Sequence, residues 1–266
     1  MDDKDWELFK KKLNDKTGID LNLYKEPQMR RRIGNLVTRA ELNSFVVYFD
    51  KVSKNKDEFA EFIEYLTINV SEFFRNPDKF DILEKDVIPY LLKRSPKLNI
   101  WSAGCSIGAE PYTLSIIMKE LTPNVRHRIL ASDLDIDILA KAKKGVYTDG
   151  EIKAMRPDRK QKYFTQTPDG KFAIKPEIKS VIEFKRHNLL KDRFETGFDL
   201  LICRNVVIYF SEEAKETLYR NFFNSLKPGG ILFVGATEAI LNYRKLGYVS
   251  YKPFFYQKPE DYKPEK

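Results

Sequence analysis

Leu98–Leu121, LNIWSAGCSIGAEPYTLSIIMKEL, decides the fold class. Leu98–Ala103 is a short apolar run of strand length, GCSIG interrupts it, and Leu114, Ile117, Met118 and Leu121 then recur at helical spacing behind Pro111, a residue suited to a first helical turn. The same texture returns downstream. Arg128–Ser132 is a second short run ending at Asp133, and Ile136–Ala142 is again helical. Phe198–Cys203 reads as a third buried strand, and Ser211 caps a helix holding Leu218, Phe222 and Phe223. Ile231–Gly235 is a further strand after a turn at Lys227–Gly230. Strands alternating with helices predict an α/β domain with a parallel sheet and crossover helices. YVSYKPFFYQ (248–257) predicts one added antiparallel strand, and PEDYKPEK (259–266) a loose tail.

Upstream the pattern is helical. Trp6, Phe9 and Leu13 fall at helical spacing before a stop at Thr17-Gly18. Met29, Ile33, Leu36 and Val37 mark a second helix from Pro27 to Arg39, and Phe45, Val46, Tyr48 and Phe49 continue the reading. Asp57 is placed to cap a helix holding Phe59, Phe62, Ile63 and Leu66. An all-α domain over 1–76 and a larger domain over 77–266 are expected. In the larger one, TPDGKFAIKPEIKSVIEF (167–184) has a Pro-Asp-Gly turn between short strands and predicts a reduced β subdomain over about 163–186.

Composition narrows the functional classes. With 42% hydrophobic and 13% aromatic residues, the 266-residue chain has the means to bury a core, which excludes general disorder. Two cysteines, Cys105 and Cys203, exclude a disulfide framework, and two histidines, His127 and His187, exclude the usual zinc spacings, so no metal is expected. The start, MDDKDWELFK, lacks the basic-then-apolar order of a signal peptide, and no apolar run approaches the roughly 20 residues of a membrane span. A cytoplasmic protein follows, monomeric by default. The net charge of +8 invites a nucleic-acid reading, but only clustering on one face would support it.

In open parallel sheets ligands sit beyond the carboxyl ends of the strands. Three polar features fall there: Gly104–Glu110, Asp133, and Arg204-Asn205. Gly104 and Gly108 permit close backbone approach, but GCSIG is not GxGxxG, and Glu110 suits a cationic ligand better than a pyrophosphate. An ordinary tight turn is the plain alternative. Asp133 lies about 25 residues past that loop, close to the spacing at which an acid meets ribose hydroxyls. Its alternative is to cap the next helix, a role open to Asp137 as well. Loop and acid together favour a nucleoside cofactor, NAD or S-adenosylmethionine, without separating the two. In NVSEFFRNP (69–77), Asn69, Ser71 and Arg75 interrupt apolar residues, and in RHNLL, Asn188-Leu189 ends a strand. Tyr209 lies in RNVVIYF (204–210), where packing is the commoner role.

NVSEFFR, AGCSIGAEPYTL, ASDLDIDILAKA, FDLLICRNVVIYF and LKPGGILFVGATE, in this order, resemble the chemotaxis receptor methyltransferases, the CheR family. The resemblance covers nearly the whole chain. It implies a Rossmann-like class I S-adenosylmethionine-dependent methyltransferase sheet with a small β insert and an N-terminal all-α domain. It also implies methyl transfer to the γ-carboxylate of glutamates on the cytoplasmic helical region of membrane chemoreceptors, with S-adenosylhomocysteine as product. By matching motif, Asn69, Ser71, Arg75, Glu110, Asp133, Asn188, Leu189, Arg204 and Asn205 would hold the cofactor, and Arg75 and Tyr209 would lie nearest the methyl. Two departures stand out. Many members carry two glutamates before the proline; here the first is Ala109, leaving only Glu110. Members that tether to a receptor's C-terminal peptide carry a larger β insert with a Gly-x-Gly turn. Tyr163–Phe184 is short and holds only Gly170, so no tether is expected.

An acceptor glutamate, with a pKa of about 4.3, is ionised at neutral pH and needs no general base. Arg75 and Tyr209 would then orient it. The tightest basic cluster, Arg30-Arg31-Arg32 with Lys25 and Arg39, is either a solvated helix face or a strip docking on acidic receptor helices. The first 76 residues carry 14 basic and 14 acidic side chains, so the whole excess of +8 lies beyond them. Three rivals remain: a methyltransferase for a small molecule or nucleic acid, an NAD-linked dehydrogenase, and a non-catalytic cofactor sensor. RNVVIYF lacks the proline of base-methylating loops, no well-placed catalytic His or Lys supports the dehydrogenase, and no nucleic-acid partner is expected.

Overall fold

Asp2 starts the first helix of the chain, α1 (Asp3–Thr17), by accepting from the Asp5 amide at 2.8 Å, and Gly18 ends it at φ 78°, where a side chain would be strained. The computed structural model to which this helix belongs describes residues 2–67 and 71–263. Three more helices follow: α2 (Glu26–Arg39), α3 (Phe45–Val52) and α4 (Lys56–Thr67). Asp5 fastens α3 to α1, its carboxylate accepting from Ser44 Oγ and from the amides of Phe45 and Val46. Behind these bonds Trp6, Phe9, Phe45, Phe49 and Phe62 meet edge-to-face and stacked, the preferred geometries of buried rings. The cap of α4 is Asn55, which accepts from the amides of Asp57 and Glu58; Asp57 lies two residues later, inside the first turn.

The chain divides into two compact units, Met1–Asn69 with Val206–Thr217, and Val70–Asn205 with Leu218–Lys266. The division falls before the expected boundary at Asn76 because Phe73 and Phe74 are core residues of the second unit. Val206–Thr217 joins the helical unit through short backbone bonds: Lys25 N donates to Tyr209 O and Ser211 N to Leu23 O, both at 2.9 Å, while the Tyr24 and Phe210 rings meet edge-to-face.

The second unit opens with α5 (Pro77–Ile82) and α6 (Ile88–Arg94), joined through a π-helical turn at Leu83–Val87. Then come β1 (Asn99–Ala103), α7 (Ala109–Leu121), β2 (Arg128–Asp133), α8 (Ile136–Lys144), β3 (Val146–Tyr147), α9 (Asp149–Ile152), α10 (Pro157–Tyr163), β4 (Phe164–Gln166), β5 (Phe172–Ile174), α11 (Pro176–Lys179), β6 (Ile182–Arg186) and β7 (Phe198–Cys203). The chain continues into α12 (Glu212–Ser225), β8 (Leu226–Val234), β9 (Val249–Lys252) and β10 (Phe255–Gln257). The main sheet runs β6-β2-β1-β7-β8-β10-β9; its first five strands are parallel, β10 pairs antiparallel with β8, and β9 pairs antiparallel with β10. Every residue of β7 is buried, as expected of a central strand covered on both faces.

Four local expectations change. The 163–186 stretch is shared between two sheets: β4 and β5 form the hairpin, completed by β3, whereas β6 is an edge strand of the main sheet beside β2. The single antiparallel strand is a hairpin, β9 and β10, because Pro253 breaks the run and Phe254 turns it at φ 72°. Lys227–Gly230 is the start of β8 rather than a turn, with an irregularity in its pairing to β7 and Gly229 at φ 78°. The tail is held as far as Tyr262: Glu260 pairs with Arg94 at 2.7 Å, and Lys258 Nζ lies over the rings of Phe223 and Tyr262.

Candidate functional site

The sheet order brings the polar strand ends together. Asn188 follows β6, Asp133 ends β2, Gly104–Glu110 follows β1, Arg204-Asn205 follows β7, and Gly235–Glu238 follows β8, on five adjacent parallel strands. The β1 loop is tied to its neighbour, Gly104 N and Cys105 N both donating to Ser132 O at 2.8 and 2.9 Å. Gly104, at φ 77°, supplies the turn. Gly108 serves packing: a Cβ there would stand 3.0 Å from that of Ala142 and 3.2 Å from the Tyr112 ring, so its freedom lets α7 seat against α8.

Asp133 faces the loop instead of capping a helix. Its Oδ2 accepts from Ser106 N at 2.8 Å and its Oδ1 from Asp135 N at 3.1 Å, while Asp135 caps α8 through the amides of Asp137 and Ile138. Burial raises the Asp133 carboxyl above its ordinary range, opposed by those amides. Beside it, Ser106 is held at φ 49° with a buried Oγ that finds no hydrogen-bond partner. Asn188 makes an Asx turn, Oδ1 accepting from Leu190 N at 2.9 Å, and His187 N donates to Asp133 O at 2.8 Å, which seats Asn188 and Leu189 next to the Asp133 strand end.

A buried charge cluster fills the centre. Glu110, in the first turn of α7, accepts from Ser102 Oγ at 2.7 Å and lies 3.6 Å from Arg204 Nη1. Burial pushes its carboxyl up, against the pull of Arg204 and Ser102. Arg204 is 8% exposed; burial lowers its guanidinium, Glu110 opposes the shift, and its Nε has no partner. Its plane lies over Phe80 and Phe233. A residue that strand reading overlooked completes the cluster: Glu238, 4% exposed, accepts from Asn205 N at 2.6 Å and Gly235 N at 2.9 Å. It holds Asn205 at φ 61°, and the signal for it was available, an acid just past a buried strand as at Asp133.

Arg204 also reaches the turn before α5, donating from Nη2 to Arg75 O at 2.9 Å and to Asn76 Oδ1 at 2.7 Å. Arg75 sits between two left-handed residues, Phe74 at φ 53° and Asn76 at φ 60°, in a non-helical turn. Phe74 is fixed by its amide on Thr113 Oγ1 and by the Arg159 guanidinium over its ring. Ser71, Glu72 and Arg75 form one wall of an open groove of about 410 Å³, with Thr148, Glu151 and Lys153 opposite. Asn69 lies outside the described residues. Tyr209 belongs to the helical unit, in a 3-10 turn at Val207–Tyr209.

The basic strip of α2 resolves into two kinds of residue. Arg30 pairs with Asp3 at 2.7 Å and lies over Trp6; Arg32 donates to Tyr65 O and stacks on the Tyr65 ring at 4.0 Å. These two are packing residues of the helical unit. Arg31 and Arg39 are exposed, and Lys25 stands 4.0 Å from Glu212. Both thiols, Cys105 and Cys203, are buried, and burial holds them protonated, which removes them from nucleophilic chemistry. Among the described residues no His/Cys/Asp/Glu group has the makings of a metal site, and no helix is long and apolar enough to cross a membrane.

The donor set fits an S-adenosyl ligand. A half-buried carboxylate raised by desolvation, Glu110, gains from an added ammonium, while Asp133 and the unpartnered Ser106 Oγ suit hydroxyl-bearing groups. Residues 69–253 match the model of the CheR methyltransferase SAM binding domain, and residues 4–67 that of the CheR methyltransferase all-alpha domain. A chemotaxis protein methyltransferase of Listeria innocua is 42% identical over 96% of this chain and 98% of its own. One from Pseudomonas aeruginosa is 35% identical over 90% and 91%, and one from Escherichia coli 32% over 84% and 80%. With both domain models matched across most of its length and S-adenosylmethionine as cofactor, the chain belongs to the CheR methyltransferase family.

Proposed function

We propose that this enzyme transfers a methyl group from S-adenosylmethionine to the γ-carboxylate of glutamates on the cytoplasmic helices of membrane chemoreceptors, giving methyl esters and S-adenosylhomocysteine. The relatives' names, chemotaxis protein methyltransferase, support a chemotaxis substrate. The observation that carries the reading is the bond from Arg204 to Arg75 O: the same guanidinium that lies beside Glu110 also fixes the residue read as the acceptor's anchor.

Glu110 would hold the amino group of the cofactor and Asp133 its ribose, with Ser71, Arg75, Asn188, Leu189, Arg204, Asn205 and, from sequence alone, Asn69 completing the pocket. When bound, S-adenosylmethionine supplies an electrophilic methyl on a sulfonium. The remaining work is orientation and exclusion of water, since a glutamate of ordinary pKa, about 4.3, is already a carboxylate at neutral pH. Arg75 would position that carboxylate, and Tyr209 would donate its hydroxyl to one oxygen. Within the strip, Arg31 and Arg39 are exposed and open to an acidic receptor helix, Lys25 is half-buried beside Glu212, and Arg30 and Arg32 are engaged in packing. The protein acts as a cytoplasmic monomer in this reading, without membrane insertion or nucleic acid.

The test is transfer of radiolabelled methyl to receptor-bearing membranes followed by mild base. Base-labile label released as methanol is the expected result. Label that resists base, or no label on receptors, overturns the reading.

A further inference from the structure

Tyr147, 2% exposed on β3, joins two parts of the second unit that hold proposed site residues. Its hydroxyl donates to Ile107 O at 2.8 Å, in the loop between β1 and α7. That carbonyl needs an outside donor. The helical ladder starts one residue later, with Tyr112 N on Gly108 O, and the residue placed to serve Ile107 O by an i to i+4 bond is Pro111, which has no N–H. Gly108 leaves the phenol room: a Cβ there would stand 3.3 Å from Tyr147 Oη. Burial holds the phenol well above its ordinary range, so it stays protonated and donates at neutral pH.

The bond matters for what lies beside it. Ile107 directly follows Ser106, whose amide donates to Asp133 Oδ2 at 2.8 Å, and Glu110 stands just beyond it in the first turn of α7. The Tyr147 ring also meets Phe73 edge-on, with centroids 4.8 Å apart. Phe73 N in turn donates to Glu151 O at 3.1 Å, in α9, and Phe73 leads into the turn at Phe74 and Asn76 that presents Arg75. One side chain of the small sheet therefore supports the cofactor loop by a hydrogen bond and the Arg75 turn by ring packing. None of the residues assigned to cofactor or acceptor lies on that sheet.

We infer that Tyr147 is a positioning residue for methyl transfer: its hydroxyl fixes the Ser106–Glu110 loop for S-adenosylmethionine, and its ring fixes the turn that sets Arg75 toward the acceptor. It acts through Ile107 and Phe73. The two contacts are separable, because removing the oxygen leaves the ring in place. The cofactor half rests on loop geometry, and the acceptor half rests on the function proposed above.

The test uses the full chain with three substitutions. Tyr147→Phe deletes the bond to Ile107 O and keeps the ring, and Phe73→Leu keeps that bond and removes the ring contact. Tyr112→Phe is the control, deleting a phenol bond of equal length, to Ala142 O. The Kd for S-adenosylhomocysteine, the S-adenosylmethionine KM and kcat with receptor-bearing membranes, and the urea midpoint are measured. Tyr147→Phe should raise the Kd and that KM about fivefold and leave kcat within about twofold. Phe73→Leu should lower kcat about fivefold and shift the Kd less than Tyr147→Phe does. Tyr112→Phe should lose a similar amount of stability and hold the Kd within about twofold of wild type. A purely structural tyrosine gives a different pattern: a lowered urea midpoint in Tyr147→Phe with Kd and KM unchanged, or equal Kd losses at 112 and 147, overturns the inference. Unchanged kcat in Phe73→Leu overturns its acceptor half. Failure of the wild-type enzyme to esterify receptors overturns the proposed function instead; the Kd shift in Tyr147→Phe is read without any acceptor and still decides the cofactor half.

Discussion

Two arginines are buried in the same unit, and their surroundings differ in a way that separates scaffold from site. Arg159, 5% exposed, is paired with two carboxylates: it donates to Glu84 at 2.7 and 2.9 Å and to Glu120 at 2.5 and 2.9 Å, and it covers the Phe74 ring. Burial alone would lower its guanidinium, but the two carboxylates outweigh that and raise it. Arg204 has one carboxylate at 3.6 Å, spends its short bonds on a backbone carbonyl and an amide oxygen, and keeps an unpartnered Nε; its guanidinium is lowered. A charge that is desolvated and incompletely paired raises the energy of the folded chain unless something else is brought to it. The first arginine closes a network, whereas the second leaves one open at the strand ends where the cofactor pocket is proposed.

The comparison breaks most readily on stability. Arg159→Met leaves the half-buried Glu84 and Glu120 without their shared cation. Because these carboxylates keep 23% and 19% of their side-chain exposure, the loss is set at the lower end for a broken buried pair, about 3 kcal/mol in urea denaturation. Arg204→Met should cost less, because Glu110 is already raised toward its neutral form by burial, yet it should abolish measurable S-adenosylhomocysteine binding. If Arg204→Met proves the more destabilising of the two, or keeps cofactor affinity, the distinction between closed and open networks is wrong.

The next effect sharpens the same comparison through pH. Glu110 has a folded pKa raised above its ordinary 4.5, so on acidification it takes up a proton before an exposed glutamate does. A ligand ammonium requires the carboxylate, so proton and ligand compete in the window above pH 4.5. S-adenosylhomocysteine affinity should fall as pH drops through that window, and binding there should release protons, read by calorimetry in buffers of different ionisation enthalpy. Glu110→Gln should weaken binding about tenfold to thirtyfold at pH 7.5 and flatten the pH dependence; Asp133, raised in the same direction, leaves a residual slope. Proton uptake by the wild type, or an undiminished slope in the glutamine variant, would contradict the assignment.

How far these features were legible follows from what sequence encodes locally. The strand-loop-helix at Asn99–Leu121 was readable because an apolar run, a glycine break and a helical period lie within a couple of dozen residues. Asp133 was readable as a strand-end acid, but its freedom from capping was not, since that depended on Asp135 taking the amides of α8. Glu238 is legible as an acid just past a buried strand, but its role is not, because its partners, Asn205 N and Gly235 N, meet only when β7 and β8 pair. Pairing across the sheet likewise decides that β6 belongs with β2 instead of with the small hairpin. The α2 arginines show the opposite failure: a charge cluster is conspicuous in sequence, but whether each member faces solvent depends on a partner more than 25 residues away, Asp3 for Arg30 and Tyr65 for Arg32.

That last difference gives the smallest predicted effect and the most direct separation of neighbours. Arg31 and Arg32 are adjacent and chemically identical, so any divergence between them comes from the fold. Arg32→Ala removes the bonds to Tyr65 O and the stack on its ring, and should cost about 1 kcal/mol of stability. Arg31→Glu touches no described packing, should leave the urea midpoint within error, and should raise the acceptor KM about threefold through a lost exposed charge contact. The salt dependence of KM adds a check, since an exposed contact weakens with ionic strength and a packed one does not. Equal stability losses at the two positions would mean that Arg31 is also a packing residue. Equal KM effects with no stability loss at Arg32 would return it to the docking strip, despite its contact with Tyr65.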